Sequence, residues 1–516
     1  MKKIYIMIYL SLFICTFQLQ AKDFHVSSSD QLKDAFNILS GNRDASDSIY
    51  LSAGTYRVST CITSLRIIAN EVNEIKICPE EGLSSDEVIL SVVDELTINT
   101  GYGGPSENNT KITIHGITIQ DAKEYGIKLI AFGKTEIRDC IISNNHEGVH
   151  IQRSDVVVKD CLVKDNDRGL CTSYSTVVIN GNTLSNNTSV GVNINNCPEN
   201  SVVAFNIINN NGTAILTGNC DNGLTINSNT IFNNTIAISG SYYLESTLSI
   251  LFNTICNHQK GGIKLSNISS AVISNNLISE NGITSDSGYS YFGGILIETS
   301  NVTISNNTIT KNKIGYSGGG IKFKNWQGGR IIKIYNNIFW NNWAKDKGND
   351  IYIDTYAYFI GLYNNVYKDL EGPVDELVDN SNKDPLFVDY QNDNYHLSPN
   401  SPCINAGDNA TPNLLETDLD GNPRINDNII DIGAYEFTTT EKIPSDQNED
   451  WILTNEEFNA YAEAWRKGET WTSGPDPIPI DYVTRSGYLQ KKGETYKNEG
   501  GKKPECWKPD DNNTKR

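Results

Sequence analysis

Four basic side chains in the first half of the sequence have the spacing to form two stacked pairs. About twenty residues separate Lys128 from His150, and a similar step separates Arg138 from Lys159. Lysine and histidine exchange protons, and arginine and lysine bind anions, so these four are the candidate catalytic residues. Interleaved carboxylates such as Asp139 support the alternative of a solvated face of ion pairs.

A second group of charged and aromatic residues lies later in the chain. Aromatic rings beside charged side chains could bind a polar ligand, and loops on a rigid scaffold commonly carry function. The alternative is that these rings only pack the loops against the fold. The candidate substrate-binding residues are Lys264, Glu298, Lys322, Lys324, Trp326 and Tyr291.

The C-terminal region contains the spacing of a calcium-binding loop. The predicted ligands are Asp446, Asn448, Asp450, the carbonyl of Ile452 and Glu457. Oxygen donors in this order can wrap one calcium ion, with the last glutamate bidentate. Trp451 departs from the pattern, because a glycine is expected at the sharp bend. Calcium is therefore the one predicted cofactor, and an acidic linker that caps the following helix is the alternative.

Charge and composition exclude several classes of function. The formal net charge is −20, so a long nucleic-acid surface is not expected. No nucleophile elbow, phosphate loop, dinucleotide fingerprint or HExxH motif occurs in the sequence. A role in metal-site assembly is disfavoured because no methionine- or histidine-rich track is present.

The elements that must position the candidate residues are short, repeated strands. A run such as Ile137–Ile142 recurs about every twenty residues, with longer steps where loops are inserted, for example around Ser285–Phe292. Each repeat has a strand, an Asn or Cys, an apolar pair, further Asn, then Gly and another strand. Alternation within the strands points one apolar set inward, so about ten coils should stack into a solenoid.

Stacking gives the asparagines and cysteines a structural role. Asn182, Asn206 and Asn229 share one register and should form a column of hydrogen-bonded amides. Cys140 and Cys161 occupy that column as small buried fillers. A second equivalent pair, Cys197 and Cys220, could form a disulfide or remain stacked thiols, because the register meets the distance condition without fixing side-chain direction.

These repeats resemble the right-handed parallel β-helix proteins of the pectate-lyase-like superfamily. The opening segment is similar to that of many members, with an amphipathic helix capping the solenoid through Leu32, Phe36 and Leu39, and with Asp30 at its start. Asp418–Arg424 and Asp431–Glu436 resemble a choice-of-anchor Q type ending. The predicted fold is all-β, with three parallel sheets, an N-terminal helical cap and a small, partly helical tail.

The domain boundaries follow from these segments. Residues 1–21 have a charged start, a short apolar run and small Ala21, which predicts a secretory signal; Cys15 leaves lipoprotein processing as an alternative. The apolar run is too short to span a bilayer comfortably, so no transmembrane segment is expected. We expect a cap with first coils at 22–95, coils at 96–370, a closing segment at 371–437 and a tail at 438–516.

The resemblance implies an exported protein that binds or depolymerises extracellular, mainly acidic, polysaccharide. If it is an enzyme, a polysaccharide lyase or a glycoside hydrolase is expected. A lyase needs a base together with cations that neutralise the uronate. The alternative is a non-catalytic surface or adhesion protein attached through its tail.

Overall fold

The computed structural model of the chain describes most of the solenoid and tail. The described residues are 23–41, 47–58, 74–93, 95–99, 111–130, 134–198, 200–220, 223–242, 246–284, 292–324, 329–354, 359–425, 428–437, 442–447, 452–471, 477–493, 495–498, 504 and 507–509. The predicted signal lies outside them. The chain divides into an N-terminal unit, residues 1–193, and a C-terminal unit, residues 194–516.

The N-terminal unit is a parallel β-helix in which each full coil contributes three strands, called A, B and C in chain order. The A strands are Asp23–Val26, Asp47–Leu51, Glu74–Pro79, Lys111–His115, Lys134–Arg138, Asp155–Lys159 and Thr176–Asn180. The B strands are Gly54–Val58, Val88–Val92, Thr118–Gln120, Ile141–Ser143, Leu162–Lys164 and Thr183–Ser185. The C strands are Glu95–Asn99, Tyr125–Ile130, Glu147–Gln152 and Arg168–Ser173. Strand Val190–Asn195 spans the boundary at residue 193.

The C-terminal unit repeats the same plan. Its A strands are Ser201–Ala204, Leu224–Asn227, Thr247–Leu251, Ser270–Ser274, Val302–Ser305, Ile331–Tyr335, Phe359–Tyr363 and Glu376–Val378. Its B strands are Ile207–Asn209, Thr230–Phe232, Thr254–Cys256, Leu277–Ser279, Thr308–Thr310 and Ile338–Trp340. Its C strands are Thr213–Gly218, Ile236–Ser241, Gly261–Ser266, Ile295–Glu298, Ile321–Lys324, Ile351–Asp354 and Leu370–Glu371. A short parallel pair, Lys313–Ile314 and Trp343–Ala344, lies beside them. The predicted solenoid of parallel sheets is therefore confirmed.

Alternation along each strand builds the core. In Asp155–Lys159, Val156 and Val158 are buried, while the intervening side chains point outward. Burying a valine, leucine or isoleucine stabilises a fold by about 1.5–3 kcal/mol, and every coil repeats this contribution. The same alternation leaves the intervening side chains in outward rows along each sheet. These outward rows form the surface that a ligand can contact.

Asparagine columns connect the coils at two corners. In the C-terminal unit, Asn206 donates to Asn229 and the pattern continues to Asn380, with side-chain distances of 2.9–3.1 Å. In the N-terminal unit, Asn182 accepts from the backbone of Cys161 at the equivalent corner. A second column at the corner between B and C strands includes Asn145 and Asn166. The predicted asparagine column is therefore present. The sequence analysis did not distinguish it from the second asparagine column.

A disulfide joins Cys197 to Cys220 at the corner between C and A strands. This resolves the alternative left open by the sequence, because the two side chains face each other from adjacent coils. Cys140 and Cys161 are buried free thiols, as predicted for small fillers.

The N-terminal helix, Ser29–Gly41, differs from the prediction at its start. Leu32 and Phe36 are buried as expected, while the side chain of Leu39 lies outside the described residues. Ser28 caps the helix by accepting from the backbone of Gln31, so Asp30 lies within the first turn rather than at the cap.

The closing segment and the tail complete the chain. Phe387–Asp389 pairs with Asn394–Leu397 in an antiparallel hairpin around the 3₁₀ turn Tyr390–Asn392. The tail contains helices Asn455–Lys467 and Ile480–Lys492, which pack together, and the strand pair Tyr496–Asn498 and Trp507–Pro509. Among the described residues, no helix is long and apolar enough to cross a membrane.

Candidate functional site

Five side chains come together on the outward face of the C strands of the N-terminal unit. Strand register places Glu147 between Tyr125 and Arg168 on neighbouring coils. It also places His150 beside Lys128. We call this group, Tyr125, Lys128, Glu147, His150 and Arg168, the Glu147 cluster.

Glu147 is the centre of the cluster. Its side chain is only 8% exposed, and its two oxygens accept hydrogen bonds from His150 Nδ1 at 2.9 Å and Arg168 Nη1 at 2.8 Å. Burial acts to raise the pKa of Glu147, but the hydrogen bonds and charges of His150 and Arg168 outweigh it and hold that pKa below its usual value. Glu147 is therefore ionised at neutral pH.

The contact with Glu147 fixes the tautomer of His150. An ionised carboxylate only accepts hydrogen bonds, so Nδ1 must carry the proton and Nε2 must carry the lone pair when the ring is neutral. Among the described residues, Nε2 has no hydrogen-bond partner. The arrangement is that of an oriented general base backed by a carboxylate.

Lys128 and Tyr125 flank this base. The Tyr125 ring lies 4.9 Å from the His150 ring, and Lys128 Nζ lies 4.4 Å from the centre of the Tyr125 ring. Lys128 also pairs with Glu95 at 3.2 Å. With Glu95 included, the positive charges of Lys128 and Arg168 balance the negative charges of Glu95 and Glu147. Protonation of His150 would therefore give the site a net positive charge.

Cys171 lies beside His150 in the strand register but contributes no nucleophile. Burial, followed by the charge of Glu147, raises the pKa of this thiol. The thiol is therefore neutral at physiological pH, whereas nucleophilic chemistry needs a thiolate.

The glycine after Glu147 allows neighbouring coils to pack closely at this position. A Cβ at Gly148 would lie 2.7 Å from the carbonyl oxygen of Gly169, so only glycine lets the coils approach this closely. Tyr125, Glu147 and Arg168 each precede the glycine of their repeat. That position is the signal that could have identified Tyr125 and Glu147, which the sequence interpretation missed.

The four predicted catalytic residues do not form one group. Lys128 and His150 stack on C strands, while Arg138 and Lys159 stack on A strands. Glu136 lies 3.5 Å from Arg138 Nε and 2.9 Å from Lys159 Nζ. Arg138 and Lys159 therefore belong to a half-exposed ion-paired face, which is the alternative that the sequence left open for them.

Four predicted binding residues do gather on the C strands of the C-terminal unit. Lys264 pairs with Glu298 at 3.3 Å, and Lys324 lies next to Glu298 in the register. Lys322 Nζ lies 5.0 Å from the centre of the Tyr352 ring. Burial, followed by the charge of Lys324, lowers the pKa of Lys322. Trp326 and Tyr291 lie outside the described residues.

The predicted calcium ligands are described in part. Glu457 accepts from the backbone and hydroxyl of Thr454 at 3.0 and 2.8 Å, forming a capping box for the tail helix. Asp446 is buried and accepts from the Tyr496 hydroxyl at 2.6 Å. Ile452 pairs with Thr495. Asn448 and Asp450 lie outside the described residues.

The described part of the chain contains no group of three or more His, Cys, Asp or Glu side chains arranged for a metal. The capping interaction that was the alternative is present, since Thr454 is the N-cap. Calcium binding by the loop stays a prediction.

Comparisons with solved structures find matches at low identity and low TM-score. The A-module of the mannuronan C-5 epimerase AlgE4 from Azotobacter vinelandii is 14% identical, covers 66% of this chain and 98% of its own, and has a TM-score of 0.41. A mannuronic acid specific polysaccharide family 6 lyase from human gut microbiota is 11% identical, with 66% and 86% covered and a TM-score of 0.41. Pectate lyase Pel9A is 12% identical, with 80% and 96% covered and a TM-score of 0.27. At these values the likenesses carry no argument about function.

Sequence comparisons are more decisive about the family. No curated protein matches the chain. The family model described as "Right handed beta helix region" matches residues 106–247 and 235–367, which together span just over half of the chain. Both matches end before the closing segment, so its resemblance to a choice-of-anchor Q ending stays a prediction. The chain belongs to the right-handed β-helix family.

Proposed function

We propose that this chain is an exported protein that binds and cleaves an acidic extracellular polysaccharide at the Glu147 cluster. The observation that carries the proposal is the His150–Glu147–Arg168 arrangement, which gives an oriented base beside cations on an outward sheet face. The reaction it suits is β-elimination, as in a polysaccharide lyase.

Each residue of the cluster has a defined part in that reaction. His150 Nε2 takes the proton from C5 of a uronate, and the electrons of the C–H bond move onto the carboxylate as an enolate. Lys128 and Arg168 offset the charge of the substrate carboxylate. The enolate then collapses to a C4–C5 double bond and expels the glycosidic oxygen, which takes a proton from water or from the Tyr125 hydroxyl. The imidazolium formed on His150 is stabilised by ionised Glu147.

Replacing His150 with glutamine tests the role of the base. The amide of His150→Gln could still donate to Glu147 but could not accept the C5 proton, so kcat should fall by about 10²–10⁴-fold with little change in KM. The measurement is the ultraviolet absorbance of the new double bond during incubation with polymannuronate, polyguluronate and polygalacturonate.

His146→Gln is the matched control, because this half-exposed histidine lies in the same coil and contacts Asp167 at 3.6 Å, outside the Glu147 cluster. Equal rates for His150→Gln and the wild-type protein would refute the assignment of the base.

A second candidate function is non-catalytic binding at a cell surface, with the tail serving attachment. The charge balance of the cluster favours it, since Lys128 and Arg168 are each paired with a carboxylate. Polyuronate binding without any unsaturated product would support this function and exclude the lyase. Glycoside hydrolysis would give products without a double bond.

We also propose that the loop from Asp446 to Glu457 binds calcium weakly, with affinity of about 10⁻⁴–10⁻³ M. Titration calorimetry on the full chain should detect heat at millimolar calcium. Glu457→Gln should abolish that heat, because glutamine retains capping-box geometry but loses the charged bidentate ligand. Equal heat from both proteins would leave Glu457 as a helix-capping residue only.

A further inference from the structure

We propose that a cleft on the C-terminal unit, separate from the Glu147 cluster, binds a neutral sugar chain. The cleft has a volume of about 500 Å³ and lies between one corner of the coils and the closing segment. Phe205 and Phe252 form its coil side, and Asp420 and Tyr435 form the side contributed by the closing segment.

The two phenylalanines differ in type from the residues at equivalent bends of this corner. Both adopt left-handed backbone conformations, with φ of 55° and 54°. At equivalent bends of the same unit the residues are Ser228, Asn275 and Asn306, and short polar side chains of this kind tolerate the conformation far better than phenylalanine does. A strained bulky residue that also lines a cleft is a candidate for ligand binding.

The phenylalanines are also presented to solvent. Phe205 is 63% exposed, and Phe252 is half-buried. Ser228 occupies the coil between them, so the two rings stand about 10 Å apart along the stack with a small side chain in the gap. The face of an aromatic ring carries partial negative charge and attracts the C–H groups of a pyranose ring.

The closing segment supplies fixed polar groups opposite these rings. His396 Nε2 lies 2.6 Å from one Asp420 oxygen, and the His396 ring lies 4.2 Å from the ring of Tyr435. The other Asp420 oxygen has no hydrogen-bond partner among the described residues. A carboxylate held in this way can accept hydrogen bonds from sugar hydroxyls.

Charge indicates which sugars suit the cleft. Asp418 and Asp420 are its acidic side chains, and no lysine or arginine lines it among the described residues. The carboxylate of Asp418 is hydrogen-bonded within the closing segment. It accepts hydrogen bonds from Asn422 and from the backbone of Glu436. Because none of the described residues that line the cleft is a lysine or an arginine, it offers no cation to pair with a uronate, and its ligand is a neutral chain, in contrast to the acidic substrate of the Glu147 cluster.

The test is titration calorimetry of the full chain with neutral hexasaccharides of glucose, mannose, xylose and galactose. Phe205→Asn should lower affinity by about tenfold or more while leaving the melting temperature unchanged or higher, because asparagine suits the left-handed bend. Tyr174→Asn is the matched control, since Tyr174 is 55% exposed with φ of 51° and lies outside the cleft. It should retain wild-type affinity.

Several results would overturn the proposal. These are no binding of any neutral hexasaccharide, undiminished binding by Phe205→Asn, or a lower melting temperature of that variant, which would make Phe205 a structural residue. Oligouronate binding that is lost in Phe205→Asn would refute the charge argument. Because His150→Gln leaves this cleft intact, failure of the lyase proposal and failure of the cleft proposal are separately visible.

Discussion

Replacing Arg424 with methionine should destabilise the closing segment by about 3–5 kcal/mol. Arg424 is 1% exposed, lies 3.3 Å from Glu436 and donates to the carbonyls of Asp431 and Gly433. Burial raises the pKa of Glu436 to about 8, and the charge of Arg424 opposes that rise. Without Arg424 the buried carboxyls of Glu436, Asp418 and Asp431 lose the positive charge beside them.

Hydrogen exchange of the amides of Ile430–Glu436 is the measurement, because it reports local opening of this segment rather than of the whole solenoid. The control is Lys347→Met, which removes an ion pair to Glu371 at 3.0 Å on the exposed surface. That change should cost no more than about 1 kcal/mol. Similar exchange in both variants would show that the buried pair contributes little.

Acid should destabilise the protein through His258, and His258→Asn should remove that effect. His258 replaces asparagine in the second column, where Nδ1 accepts from the backbone of Asn234 and Nε2 donates to the carbonyl of Ile231. Burial lowers its pKa to about 4. The neutral ring fits the column, and the protonated ring would lose the acceptor at Nδ1.

The sign of the pH dependence follows from this lowered pKa. The contribution of neutral His258 to stability is complete above the unfolded pKa of about 6.5 and is lost as pH falls through about 4. The total loss is about 3 kcal/mol. Thermal melts between neutral and acid pH should show a smaller decline for His258→Asn than for wild type, with half-exposed His146→Asn as the control. Parallel declines for all three proteins would contradict the prediction.

The solenoid could be predicted because its signal is repeated. The position shared by Asn206 and Asn229 recurs in almost every coil, so chance matches at single coils matter little. The column containing Asn145 and Asn166 was not separated, since asparagine is equally common at the outward bends beside it, such as Asn144. The Cys197–Cys220 disulfide depends on side-chain direction, which spacing does not determine.

The candidate site was predictable only in part. Spacing gave Lys128 with His150 and Arg138 with Lys159 as two separate stacks. It could not show that Glu136 pairs with both Arg138 and Lys159. Glu147 was missed because acidic residues are frequent in a chain of net charge −20, and its burial depends on contacts from neighbouring coils. Phe205 was missed because a left-handed backbone is visible only in the structure.

Mass spectrometry of the products from a defined oligouronate tests the central claim most directly. Elimination at the Glu147 cluster adds no water, so the masses of the two products from each cut should sum to the mass of the substrate, and the product that carries the new non-reducing end should contain the double bond. A sum of product masses that exceeds the substrate mass by the mass of one water would show hydrolysis and contradict the lyase mechanism. Intact substrate after prolonged incubation with polymannuronate, polyguluronate and polygalacturonate oligomers would contradict catalysis at this site altogether.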